Sequence, residues 1–139
     1  MASIGTRKLQ LNVDATEVTP EVSNVRVTSG ESESDFVSFA DAAAGGGRVY
    51  KLAITMTQNA ATGTLWDQVW SHAGEEVDVI VRPYGNTTPT ATEPHFEGTC
   101  VVAEPDGDLL GGEADKSATN RFTTEVEWEF TAKPTKVTA

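Results

Sequence analysis

The sequence predicts a mainly β fold with one short helix clamped onto it, and three observations carry the prediction. Several segments alternate apolar and polar residues with the period of two of a half-buried strand. A single stretch, residues 64–73, spaces its large apolar residues for one face of a helix. Clusters of Gly, Pro, Asn, Ser and Thr punctuate the intervals. The 139 residues suffice for one domain with a real core and no disulfide or metal staple.

Residues 1–6 read as a loose arm. Residues 7–13 then place Leu9, Leu11 and Val13 on one side and Lys8, Gln10 and Asn12 on the other. A turn at Thr19-Pro20 leads to a strand at 23–28 with Val25 and Val27 inward. These two strands are expected to pair as a hairpin. Over residues 29–47 the composition shifts to Gly, Ser, Glu, Asp and Ala around an apolar island of Phe36, Val37 and Phe39. A long loop is expected there, either a free hairpin tip or a segment that orders on a partner subunit. Glu31, Glu33, Asp35, Phe36 and Phe39 are its candidate inter-subunit residues. The run Gly45-Gly46-Gly47 has no Lys-Ser/Thr after it and is not a phosphate-binding loop.

Residues 48–58 form a strand with Tyr50, Leu52, Ile54 and Met56 on one face and Lys51, Ala53, Thr55 and Thr57 on the other. In the helix, Leu65, Trp66, Val69, Trp70 and Ala73 share a face, so Leu65, Trp66, Val69 and Trp70 are expected to pack it onto the sheet. Thr64 is placed as N-cap, Asp67 makes an acidic variant of the capping box, and Gly74 supplies the left-handed stop. A helix this short is marginal in water, so its tryptophans must hold it by packing. Residues 76–83 follow with Val77, Val79 and Val81 opposite Asp78, Ile80 and Arg82. Ile80 makes that strand apolar on both sides, which marks it as central. Past a Thr/Pro/Asn/Gly loop at 84–93, residues 94–103 set Phe96, Cys100 and Val102 on one side around Gly98, a position for a bulge or close backbone approach. Residues 104–116 are acidic and glycine-rich. Residues 121–131 are the most regular: Phe122, Thr124, Val126, Trp128 and Phe130 point one way, Thr123, Glu125, Glu127 and Glu129 the other. One face is core and the other a carboxylate ladder. Residues 133–139 form a short tail.

Charge and residue chemistry narrow the function. Ten Lys and Arg stand against 21 Asp and Glu, a formal charge of −11, which repels phosphates and argues against nucleic-acid binding. The single cysteine, Cys100, excludes an internal disulfide and reads as core filler in a reducing compartment. Residues 1–6 have no basic-then-apolar leader and no apolar run spans a bilayer, so a protein soluble in the cytoplasm is expected. The two histidines, His72 and His95, have no nucleophile or metal motif around them. Asp106-Gly107-Asp108 resembles the start of a calcium loop, but the fifth position is Leu110 and the twelfth is Ser117. The Glu125, Glu127, Glu129 row lacks the cleft that raises a catalytic carboxyl. No catalytic residue, cofactor or metal is assigned.

The order of parts resembles the major tail tube protein of long-tailed, siphovirus-type bacteriophages over nearly the whole chain. The residues that carry the resemblance are Leu65-Trp66 through Trp70-Ser71-His72-Ala73-Gly74, Val77-Asp78-Val79-Ile80-Val81-Arg82-Pro83-Tyr84-Gly85, and Pro94-His95-Phe96-Glu97-Gly98. Gly111-Gly112-Glu113-Ala114 and the run from Phe122 to Thr135 complete it. The resemblance implies an antiparallel β-sandwich or split barrel flanked by the helix, self-assembling in hexameric rings that stack into a hollow tube. Double-stranded DNA would pass through without specific binding. The long loop and terminal arms would bridge rings, and tape-measure, tail terminator and distal tail proteins would be partners. The location implied is the virion tail, assembled in the host bacterial cytoplasm. Within that picture Glu125, Glu127 and Glu129 are expected to line an anionic lumen that lets the genome slide. Two alternatives stand beside it: a capsid decoration or head–tail joining protein, forming trimers or isolated rings, and a monomeric β-sandwich binding module. The second would need aromatics exposed on a sheet face, whereas Trp66, Trp70 and Trp128 all fall on faces expected to be core.

Overall fold

The expected strands form one antiparallel sheet in the computed structural model, which describes residues 3–31, 38–43, 48–114, 116–117 and 119–139. They are β1 (Gln10–Val13), β2 (Thr16–Glu17), β3 (Val22–Glu31), β4 (Arg48–Thr57), β5 (Glu76–Arg82), β6 (His95–Val101), β7 (Thr123–Phe130) and β8 (Thr135–Val137). Their order is β2-β1-β5-β6-β7-β4-β3, with β8 beside β6. Two helices accompany them, α1 (Phe39–Ala43) and α2 (Leu65–His72), with a 3-10 turn at Thr19–Glu21. The chain is mainly β with a short flanking helix, as its alternation predicts.

The sheet is curled. Seven strands laid flat would set the edges β2 and β3 roughly 29 Å apart. Yet the link from Glu17 to Val22 spans at most about 17 Å when fully extended. The edges must therefore approach one another, giving a split-barrel shape whose inside is the core. Leu11, Leu52, Ile54, Met56, Val79, Cys100, Val102 and Trp128 are buried there, and α2 covers them with Leu65, Trp66 and Val69. The Glu21 carboxylate accepts from the Leu65 backbone N–H at 3.0 Å, tying the edge-to-edge turn to the start of the helix.

Local chemistry explains the helix. The Thr64 hydroxyl accepts from the Asp67 N–H at 3.2 Å, and the Asp67 carboxylate accepts in return from the Gly63 N–H at 3.1 Å. Gly74, at φ 93°, ends the turn, and its N–H donates to the Val102 carbonyl at 2.7 Å. At Gly98 a side chain would begin 2.8 Å from the Phe130 ring, so the glycine makes room for a packed ring where a bulge or close backbone approach was expected. Central β5 lies between β1 and β6, in agreement with Ile80.

Several expectations need correction. Strands β1 and β3 do not pair: β1 turns back through Asp14 and Ala15, both at positive φ, onto β2, and its other edge joins β5. The loop expected at 29–47 is shorter, because β3 and β4 stay paired out to Glu31 and Arg48, and Phe39 opens a short helix. The tail is not free, since Thr135–Val137 pairs with β6. Trp70 does not pack the helix onto the sheet. It is 54 % exposed and stacks on Trp66, because the helix is narrow enough to bury only one of two adjacent rings. Phe122 precedes β7 and is 46 % exposed instead of core.

Candidate functional site

Strand β7 carries the site expected from its alternation. Thr124, Val126, Trp128 and Phe130 are buried, while Glu125, Glu127 and Glu129 stand exposed on the outer face of the sheet. Alternate residues lie about 7 Å apart along a strand, so the three carboxylates form one row. Opposite them on β4 are Thr55, Ala53 and Lys51. The Lys51 ammonium sits 3.9 Å from the Glu127 carboxylate, an exposed ion pair of little energetic weight.

The tertiary structure adds a second source of charge. β6 pairs with β7 only at Cys100–Phe130 and Val101–Glu129, and then the chain leaves the sheet. The freed edge of β7 is covered by the acidic, glycine-rich segment that follows. Its carbonyls accept from the core: Ala103 from the Trp128 indole N–H at 3.2 Å, Leu109 from the Trp66 indole N–H at 2.7 Å and from the Thr124 hydroxyl at 3.3 Å. This placement brings Glu104, Asp106 and Asp108 to the same open groove, of about 1350 Å³, as Glu125, Glu127 and Glu129, with Lys51 the one cation among the described residues that line it. The composition of residues 104–116 was the signal for those additional acids, but periodicity cannot say which surface a loop joins.

The remaining chemistry-bearing residues are dispersed. His72 Nδ1 contacts the Glu75 carboxylate, and buried His95 Nε2 contacts the Asn86 carbonyl at 2.9 Å. Cys100 is buried, and desolvation pushes its thiol up from 9.0 to about 12, far from the thiolate that nucleophilic chemistry uses. Among the described residues no group of three His, Cys, Asp or Glu is placed to hold a metal ion. No described helix is long and apolar enough to cross a membrane.

Of the candidate inter-subunit residues, Glu33, Asp35 and Phe36 lie outside the described residues. Glu31 closes the β3–β4 ladder opposite Arg48, and Phe39 is 97 % exposed. Strand β3 pairs with β4 alone among the described strands, leaving its other edge unpaired over ten residues. No protein-family model matches the chain, and a search of curated proteins finds no significant match.

Proposed function

We propose that the chain is a structural subunit of a phage tail tube, polymerising as stacked rings, six copies to a ring, around a conduit for the genome. The observation that carries this reading is the acidic outer face of β7, its carboxylates gathered with those of the covering loop on open sheet and not in a closed cleft. A wall of that charge repels DNA phosphates, so the duplex slides without sticking. The unpaired edge of β3 supports the same reading, because pairing edges between identical subunits satisfies backbone groups that otherwise invite aggregation. Tape-measure, tail terminator and distal tail proteins are the partners this assembly would require, and the virion tail its location.

Negative-stain microscopy of concentrated protein, with sedimentation velocity alongside, tests the proposal. Hollow striated tubes or six-fold rings are expected. A monodisperse monomer at every salt concentration would sink it and favour a binding module. Discrete trimers would favour a decoration protein.

A further inference from the structure

We infer that the edge of β7 between Glu125 and Glu127 is a docking slot for an extended, lysine- or arginine-bearing segment of a partner protein, which joins the sheet there as an added strand. The inference goes beyond the tube reading and needs only the folded chain.

Register locates the open backbone groups. The Gln58 N–H donates to the Phe122 carbonyl at 3.0 Å, just beyond the β4–β7 ladder and in its register. Residues that exchange backbone bonds across an antiparallel pair recur at every second position. Thr124, Val126 and Trp128 therefore turn their N–H and C=O groups toward β4, while Glu125, Glu127 and Glu129 turn theirs the other way, toward β6. The Thr131 N–H, which donates to the Thr99 carbonyl at 2.9 Å, agrees with that phase. Glu129 is met on that side by Val101. Glu125 and Glu127 are not, since among the described residues no backbone group bonds to theirs there.

The sequence explains the gap. Carried on in the register of Val101 and Glu129, the ladder would set Ala103 opposite Glu127 and Pro105 opposite Glu125. The Ala103 carbonyl is instead taken by the Trp128 indole N–H at 3.2 Å, and Pro105 has no N–H to give. Leu109 likewise accepts from the inward-pointing Thr124 hydroxyl at 3.3 Å. The loop thus closes the core beneath the edge through side-chain bonds and leaves the backbone edge itself facing the groove of about 1350 Å³. An unpaired row of donors and acceptors beside a groove is what strand addition requires.

Charge names the occupant. Glu104, Asp106, Asp108, Glu125, Glu127 and Glu129 line the groove, and Lys51 is the one cation among its described lining residues. Residues of an added strand opposite Glu125 and Glu127 carry their side chains on the same outer face, roughly 5 Å away. Cations at alternate positions therefore meet carboxylates, and the residue between them, opposite buried Val126, lies over the loop and must be small. A second copy does not fit this pattern. Nowhere in the chain do two of its ten Lys and Arg stand two residues apart, and its net charge of −11 opposes self-association at an acidic groove.

The test is hydrogen exchange on the full chain, read residue by residue below the concentration at which it sediments as assemblies. In the free chain the Glu125 and Glu127 amides are expected to exchange roughly a hundredfold or more faster than that of Val126. The probe is the peptide acetyl-Thr-Lys-Ala-Lys-Thr-amide at about 2 mM in low salt. It is expected to slow both amides about threefold or more, the protection that a Kd of about 1 mM gives. Two analogues separate strand pairing from simple attraction: one N-methylated at both lysines, which loses the donors, and one with glutamate in place of lysine. Neither is expected to slow exchange. Glu125 and Glu127 amides as protected as Val126 in the free chain, no slowing by the lysine peptide, or equal slowing by either analogue overturns the inference. None of these outcomes turns on whether rings or tubes form.

Discussion

The two faces of β7 share one backbone and one ladder with β4, yet they obey different rules. The inward face is decided by volume and by polar partners: Trp128 is fully buried, and its indole N–H, like the Thr124 hydroxyl, is satisfied by a carbonyl of the covering loop. The outward face carries charge, since Glu125, Glu127 and Glu129 are exposed and Glu127 pairs with Lys51. The inner face therefore sets stability and the outer face is free to serve another purpose.

Replacing Trp128 by Ala should be the largest blow to that division. It opens a cavity and frees the loop carbonyl of Ala103, with an expected loss of about 3–5 kcal/mol, read by chemical denaturation. An equally sharp probe of the inner face is Cys100, on neighbouring β6. In folded protein at pH 9 its alkylation should be slower by roughly a hundredfold or more than in denaturant, because burial keeps the thiol protonated. The same raised pKa makes a stability term that is fully present below pH 9.0. It is lost as pH rises from there toward about 12, where the unfolded chain ionises and the folded one does not. A thiol that reacts equally in both states would contradict the packed inner face. Least disruptive should be the triple change of Glu125, Glu127 and Glu129 to Gln, shifting stability by under about 0.5 kcal/mol per site. If the thermal midpoint collapses with the triple variant, the outer face is structural after all. If it holds, and tubes of the variant retain DNA that wild-type tubes release, the anionic-wall proposal is sharpened.

Much of the fold was legible because its strands alternate so regularly that register follows from burial. The residues of β4, β5 and β7 fell on the expected faces, and Thr64, Asp67 and Gly74 bounded the helix. What escaped did so for identifiable reasons. Asp14-Ala15 lacks the Asn-Gly or Asp-Gly signature of a two-residue hairpin, so the β1–β2 turn was invisible and β1 was given the wrong partner. Trp66 and Trp70 carry the same helical phase, but stacking lets one shield the other, and only Trp66 reaches the core. Strand β8 is too short to show alternation; it exists because β6 offers an edge that β7 leaves vacant. In the candidate site the ladder on β7 was readable, whereas Glu104, Asp106 and Asp108 joined it only through the path of the covering loop.

By itself, then, the sequence determined which faces of β4, β5 and β7 go inward, where α2 starts and stops, and that one strand is acidic along a whole face. These are short-range consequences of periodicity, capping and side-chain charge. Tertiary structure decided which strand lies beside which, that the sheet curls until β2 and β3 approach, and that the loop after β6 brings its acids to the groove beside β7. Those depend on pairings between residues far apart in the chain. There backbone hydrogen bonding favours any free edge equally, and only the packing of the whole core chooses among them.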